Sequence, residues 1–598
     1  MKLTPVGKIV LLILVIGVAV GAWRYWNVLA PNAKPIESTV PTKINLPDNS
    51  SVSQGTGAAY SAPGAKPGLP NNQEVRLLGY AWNAQMGMLL ANGGPQSTTG
   101  SLMCKHGVNF IFQRQDDNSK LQEALVTFAT ELSRGDANPS KGVQFVTIMG
   151  DGSAAFLAGL NPQLARIGPE YKAKIIDAIG YSHGEDKFMG PPSWKATPSA
   201  SKGGVCAGVL RDGDWNIAQK WLGDNGLRTN PDEKTYDPDA LNWVNASDYI
   251  DAAQKYVAGY SETRPVVRNG KRTGETRKIT VNAVVTWTPG DTTVAKEKGG
   301  LVSIASTKEY SSQMPCVVIG IDKWLKNNSQ LTEAMIAAIA EGGDQVKSNP
   351  AALRHAAEIS DVVYHEANTG PAFWEKYYKG TTETDKTGVQ VELGGSSSNN
   401  LSDSLLAFGL VPGSANLVAA TYTVFGDLVV SQYPSLVPSH PAASDVIDTT
   451  YLQAVAKAVA PSATVIAAAK PQYAPTTSSP VISRRSWAIH FEPGSNQFSS
   501  DAKKLLDQLS RELLVASGTV IEIHGHTDNQ GDPRKSKPLS EARAFAVKNW
   551  LKARHPVNFP DKRIRVFAHG EDNPIAPNST NEGRAANRRV EIILRAAN

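Results

Sequence analysis

Cysteine is scarce. Cys104, Cys206 and Cys316 are far apart and form no CxxC pair. That spacing excludes a disulfide scaffold and a structural zinc cluster. An odd count leaves at least one thiol whatever pairs, and burial as a small apolar side chain is the expectation. Excess charge of one sign is also missing: 60 Lys+Arg against 55 Asp+Glu leaves +5 on a 598-residue chain. A nucleic-acid partner needs a denser basic face, so none is expected. No GxxxxGK[ST], HExxH or EF-hand loop occurs, and His365-Glu366 has no second histidine at ligand spacing. Gly180-Tyr181-Ser182-His183-Gly184 matches GxSxG, but a nucleophile elbow needs a helix directly after the serine. Glu185 to Pro192 (EDKFMGPP) cannot supply one. The segment therefore reads as a loop, and no catalytic residue, metal ligand or cofactor is expected.

The 598 residues are too many for one hydrophobic core. The first feature is an apolar run from Ile9 to Trp23, preceded by Lys2 and Lys8 and followed by Arg24, Tyr25 and Trp26. As a helix it covers ~22 Å against a ~30 Å hydrocarbon core. It becomes long enough when Val6, Gly7 and the stretch to Leu29 are included and Lys8 and Arg24 snorkel. A cleaved signal peptide competes with an uncleaved signal anchor. Val28-Leu29-Ala30 is followed by Pro31, a poor cleavage context, so residues 1–30 are expected to form an anchoring transmembrane helix. The positive-inside rule then places the bulk of the chain in the periplasm. The run holds no Asp or Glu, so it reads as a tether and not a proton relay.

Residues 31–72 are rich in Pro, Ser, Thr, Asn and Gly and read as a flexible linker. A second, Pro-punctuated linker is expected at 466–484. Between them, at 73–465, strands and helices alternate. Val75–Ala81, Val108–Gln113 and Val143–Met149 read as strands, with helices at Ala84–Ala91, Lys120–Leu132 and Ser153–Leu160. This α/β rhythm implies a parallel sheet covered on both faces, with a ligand at the carboxyl ends of its strands.

The stretches WNAQMGMLLANGG, GSLMCKHGVNFIFQRQDDNSKLQEAL, GDGSAAFLAGL and MPCVVIGIDKWLKNNSQLTEAMIAAIAEG follow one another in this unit. It resembles the nitrate/taurine-type periplasmic substrate-binding proteins of ABC transporters. The resemblance implies two lobes closing on a small ligand. Placement at strand ends nominates Trp82, Asn83 and Gln85, then Asp116 and Asp117, then Asp151 and Ser153, then Asp214 and Trp215. Asp151 and Ser153 open a helix whose amides would hold an anion. They are also ordinary capping residues, and Trp82 is equally a core residue.

Residues 485–598 read as a mixed β-α-β-α-β unit. Strands are expected at Trp487–Phe491, Val520–His524, Arg563–Ala568 and Arg589–Leu594. Helices are expected at Ser500–Val515, capped by Ser499 or Ser500, and at Leu539–Ala553, capped by Ser540. GHTDN, LSEARA and NEGRAANRRVEI occur in order, and the unit resembles the OmpA-like peptidoglycan-binding domain. That resemblance implies a noncovalent grip on the diaminopimelate of stem peptides. Such an end group carries an ammonium and a carboxylate, so its site needs a fixed anion beside a fixed cation. Asp528 fits the first role and Arg543 the second, with the helix amides adding donors. Glu492 and Arg588 join them by resemblance, and Thr527, Asn529, Ser536 and Leu539 shape the wall. Ser536 stands where the family usually has asparagine, and Glu492 where it usually has aspartate.

The combined expectation is an inner-membrane-anchored, single-pass periplasmic protein. It would bind peptidoglycan at one end and carry a solute-binding-like unit as sensor or scaffold. The alternative is an ABC-transport component delivering a small anionic solute to an inner-membrane permease.

Overall fold

The computed structural model describes residues 60–458, 473 and 479–597. The apolar run and the anchor expected at 1–30 lie outside the described residues. Among the described residues no helix is long and apolar enough to cross a membrane. Residues 60–72, expected as spacer, lie against the next unit: Gly64 N–H donates to Thr99 O at 2.8 Å and Gly68 N–H to Ser97 O at 2.9 Å.

The middle unit is two α/β lobes. The first holds a six-stranded sheet in the order Ser396–Ser398, Ala173–Ser182, Pro315–Ile321, Phe145–Met149, Glu74–Gly79, Asn109–Arg114. The second holds five strands in the order Val302–Ser306, Lys187–Gly190, Ala283–Thr286, Val205–Gly208, Asn242–Asn245. Neither sheet is purely parallel. Pro315–Ile321 runs antiparallel to both of its neighbours, and Lys187–Gly190 is antiparallel to both of its own. The alternating strand–helix rhythm is real, but strands that return from the other lobe enter each sheet reversed. Periodicity cannot show this, because a fully buried strand reads the same in either direction.

The chain passes between lobes at 183–186 and returns at 307–314. Thr307 ties the two crossings together. Its hydroxyl meets Ser182 Oγ at 2.6 Å and accepts from Gly184 N–H at 2.8 Å, while its own N–H donates to Asp186 O at 3.1 Å. The serine of the GxSxG match is thus a hinge hydrogen-bonding group, followed by the strand Lys187–Gly190. A third passage, at Gly394 and Gly395, lies on the same crossing: Gly395 O accepts from His183 and Glu185 N–H. The three thiols are unpaired; Cys206 and Cys316 are buried in the two sheets.

The terminal unit has a four-stranded sheet in the order Val481–Trp487, Val590–Ala596, Thr519–His526, Ile564–Gly570. Its first strand begins inside the segment expected as linker and ends where the expected strand begins. Register against Val590–Ala596 decides this, pairing Arg485 with Ile592 and Trp487 with Val590. The two long helices also shift. One spans Ala502–Val515, with Asp501 at its cap position and no side-chain cap. The other spans Pro533–Arg554, starting six residues before the expected Leu539; it is capped by Asp532 and has Pro538 inside it.

This unit is docked on the hinge between the lobes. Ser312 N–H donates to Val515 O at 3.2 Å and Gly518 N–H to Glu309 O at 3.2 Å. Ser517 Oγ meets Ser311 Oγ at 2.8 Å and Ser312 Oγ at 2.5 Å. A side chain at Gly518 would put its Cβ 2.1 Å from Lys308 O, so only glycine allows this approach. On one flank Lys220, on the helix Gly213–Asp224 of the second lobe, binds Glu512 at 2.7 Å and Asp224 at 2.7 Å. Tyr310 OH donates to Asp224 at 3.1 Å, closing the network. Burial pulls the Lys220 ammonium down, but Asp224 and Glu512 outweigh it and hold it above its ordinary range.

Candidate functional site

Two sets of expected site residues fall in two places. The first is the end of the terminal sheet where Thr519–His526 runs into the loop 527–532. Gly525 lets the long helix pack against this strand: a Cβ there would lie 2.1 Å from Ser540 O. Ser540 does not cap the helix. It donates to Lys537 O at 2.8 Å and accepts from Gly570 N–H at 3.0 Å, tying helix to sheet. Arg543 is consequently in the helix interior, not near its N-terminus, and the amides around it are spent on intrahelical bonds. The amide contribution expected for a bound carboxylate is absent at that point.

Asp528 is bound to Arg588 at 2.5 Å, not to Arg543. Arg543 is only 7% exposed. Its Nε donates to Ser495 O at 3.0 Å and its guanidinium lies 5.0 Å from the Phe491 ring centre. Burial lowers its proton affinity, Arg588 lowers it further, and Asp528 raises it. The acid and both guanidiniums therefore share one electrostatic neighbourhood. Glu492 is exposed on the 492–497 turn that covers Arg543, held by Ser495 N–H to Glu492 O at 3.1 Å. Thr527 is buried with its hydroxyl unpartnered. Asn529 is exposed, Leu539 is half-buried, and Ser536 donates to Glu571 at 3.1 Å.

The second place is the closed cleft between the lobes. Trp82 and Asn83 follow the first strand and reach across: Trp82 Nε1 donates to Asp186 at 3.1 Å and Asn83 Nδ2 to Glu185 at 3.0 Å. Asp151 accepts from Gln313 Nε2 at 2.8 Å. Asp214, in the first turn of the helix Gly213–Asp224, is buried against Asp186. These residues share the site; others do not. Gln85 is spent inside the first lobe on Thr147 and Tyr80 O. Ser153 donates back to Gly150 O. Trp215 packs on Trp243 and Tyr433, with its Nε1 buried and without a hydrogen-bond partner. Asp117 is exposed, caps the helix Asn118–Ser133 and lines the cleft mouth beside Asp116. Asp116 belongs to the cleft mouth, where Arg114 binds it at 2.6 Å and also reaches Glu366 and, at 3.3 Å, Tyr249 OH.

The anion expected at Asp151 and Ser153 does not fit. Asp151, Glu185, Asp186, Asp212 and Asp214 crowd the same buried region. Lys187, the cation whose charge reaches Glu185 and Asp186, is itself bound by Asp291. An anion placed here would meet carboxyl groups and no free cation among the described residues of the cluster. Glu185, Asp186, Asp212, Asn216 and Gln313 were not among the expected site residues. The acidic pair GED before the second-lobe strand was a visible signal, but its distance from Asp151 and Asp214 along the chain hid the cluster.

The profile of the OmpA family matches residues 490–588. The terminal unit is an OmpA-like domain. The outer-membrane lipoprotein YfiB of Pseudomonas aeruginosa is 35% identical over 108 residues, covering 18% of this chain and 62% of that protein. The peptidoglycan-binding protein ArfA of Mycobacterium bovis is 38% identical over 91 residues, covering 15% of this chain and 27% of that protein. This chain thus spans less than two thirds of either relative. Among solved structures, the periplasmic nitrate-binding protein NrtA of Synechocystis is similar over 65% of this chain and 90% of its own, at 10% identity and a TM-score of 0.45. The two lobes follow from the strand orders and the crossings themselves.

Beneath the Asp528 loop the OmpA-like domain carries three stacked imidazoles. His524 Nδ1 meets His569 Nε2 at 2.8 Å, and the His526 ring stacks on His569 at 4.7 Å. His526 is 4% exposed; neither ring nitrogen has a hydrogen-bond partner, and Glu591 Oε1 lies 3.9 Å from its Nε2. Burial, reinforced by Arg589, pulls it down to about 4 from an ordinary 6.5. Between those values the unfolded chain binds a proton that the folded chain refuses. Stability is then fully present above pH 6.5 and is lost as pH falls toward 4. Urea melts at pH 7 and pH 5 should differ by about 2 kcal/mol from this group alone. His526→Gln should flatten that difference; an unchanged pH slope would count against the assignment.

Proposed function

We propose that this chain grips peptidoglycan through its OmpA-like domain and carries the two-lobed unit as a fixed sensor or scaffold in the periplasm. The observation that carries this reading is the grouping of one acid, Asp528, with two guanidiniums, Arg588 and Arg543, beside the unpartnered Thr527 hydroxyl. The free end of diaminopimelate carries an ammonium and a carboxylate. Asp528 takes the ammonium, and Arg588, displaced from it, joins Arg543 on the carboxylate. Glu492, Asn529, Ser536 and Leu539 are the further residues that the family resemblance adds to this grip. The relatives named for peptidoglycan binding support the substrate, and the envelope setting of the family supports the compartment. In this reading residues 1–30 tether the chain to the inner membrane, and the linkers expected at 31–72 and 466–484, less the stretches 60–72 and 481–484 that the fold takes up, give reach and join the two folded units.

Sensor or scaffold is favoured over free delivery by the docking on the hinge. Ser312 is bonded to Val515 and Ser517, and the next residue, Gln313, holds Asp151 in the cleft. A wall-bound domain seated there fixes the lobes to the wall. The second reading, a transport component serving an inner-membrane permease, draws on the cleft's buried polar cluster. The test is co-sedimentation of the full chain with purified sacculi. Retention should be competed away by free diaminopimelate-containing stem peptide. Retention that this peptide leaves unchanged would sink the proposed grip.

A further inference from the structure

The interlobe cleft has more acceptors than donors. Asn83 Oδ1, Asp151 Oδ1, Asp186 Oδ1, Asp214 Oδ1, Asn216 Oδ1 and Gln313 Oε1 are buried without a hydrogen-bond partner, against two neighbouring unpartnered donors, Asn216 Nδ2 and Trp215 Nε1. Asn83 and Gln313 are 0% exposed. Each spends its amide N–H on a carboxylate of the cluster, Glu185 and Asp151, which leaves its carbonyl oxygen in the same region. An unsatisfied buried polar atom is costly, and the acceptors outnumber the donors here even though Asp186 and Asp214 hydrogen-bond each other. Burial also pushes Asp151 up to about 8, so without a positive partner it holds a proton at neutral pH, and pushes Asp186 up to about 6.

A cavity of about 160 Å³ lined by Tyr80, Asn118, Met149, Gly152, Arg211 and Asp212 lies at the edge of the cleft. Asp212 and Gly152 are the link between this cavity and the cluster: a Cβ on Gly152 would lie 3.5 Å from Asp212 Oδ1, and one on Gly213 would lie 3.1 Å from Asp151 Oδ1. Arg211 does not neutralise the region, because it is bound to Glu233 at 2.6 Å.

We propose that the cleft between the lobes binds a small organic cation bearing N–H donors, a primary ammonium, amidinium or guanidinium. The inference rests on the solute-binding reading of the two lobes and names the class of solute. N–H groups pointing in several directions satisfy separate acceptors, and the positive charge replaces the protons held by the carboxyls. A bare metal ion fits less well, since among the described residues no three His, Cys, Asp or Glu side chains converge at ligand geometry.

The test is thermal unfolding of the full chain with methylammonium, putrescine or agmatine, and in parallel with nitrate, sulfate or magnesium. At a hundredfold excess over Kd, a cation of this class should raise Tm by roughly 3 °C. Asp214→Asn should weaken that cation at least tenfold. The same substitution should raise Tm by ~2–4 °C without any ligand, because the new amide gives the cluster a donor and removes a carboxyl. A shift with nitrate or sulfate alone overturns the cation assignment but keeps a solute site. A shift with magnesium alone overturns the organic class. No shift with any solute, together with a lower Tm for Asp214→Asn, overturns both this proposal and the solute-binding reading, leaving the cluster as internal structure.

Discussion

Lys220→Met should lower the stability of the full chain by about 3–5 kcal/mol. The substitution keeps the volume and removes the charge. Asp224 is then left with Tyr310, and Glu512 with Arg485 at 3.5 Å. Lys220 is 5% exposed and Asp224 5%, so water does not compensate. Because the ammonium bridges the second lobe and the OmpA-like domain, the loss falls on the interface. Unfolding followed by calorimetry should change from a joined transition to two. The triple replacement Lys220→Met, Asp224→Leu, Glu512→Leu should recover most of the loss, since an apolar set buries no unpaired charge. A cost under ~1 kcal/mol for Lys220→Met would show that the two units are not held together here.

Asp528→Ala and Arg543→Ala should each cost about 2–4 kcal/mol in binding to purified sacculi, a loss of roughly 30- to 1000-fold. Each leaves one charged end of the diaminopimelate group unpaired in a partly dry site. Arg543 is the more exacting position. It is buried under the 492–497 turn and against the Phe491 ring, so Arg543→Lys keeps the charge but loses the fork and the ring contact. It should recover less than a tenth of the lost affinity. Arg588→Ala should cost less, because Arg588 is half exposed and must leave Asp528 before ligand enters. Equal retention of all three variants would remove the site from this face.

The elements were legible to different degrees for physical reasons. Pro315–Ile321 appears with the boundaries its apolar run implies. The Ala502–Val515 helix was marked by Leu506, Leu509 and Leu513 on one face. The helix start at Pro533 was not, because Pro538 has the propensity of a breaker and Ser540 that of a cap. In the fold, the packing of Gly525 against Ser540 and the Ser540–Gly570 bond outweigh that local preference. The first strand of the OmpA-like domain was misplaced because Val481–Trp487 carries Ser483, Arg484, Arg485 and Ser486, too polar to announce a strand. Its backbone partner, Val590–Ala596, is a hundred residues away. Within the candidate sites, Trp82, Asn83, Asp151 and Asp214 were found at strand ends, whereas Gln85, Ser153 and Trp215 share that sequence position but turn inward.

The local text of the chain determined the alternation of strands and helices in its middle and the family of its last unit. Hydrophobic period, Pro-rich punctuation and the GHTDN, LSEARA and NEGRAANRRVEI runs act over a few turns, and those ranges survive in sequence. Tertiary structure alone decided the sign of the cleft and the seat of the OmpA-like domain. Asp151, Asp186 and Asp214 become neighbours only when two lobes close, and Lys220 meets Glu512 only when a domain far along the chain docks on the hinge. Charges separated by dozens to hundreds of residues interact through space, so their sum is set by the fold and not by adjacency.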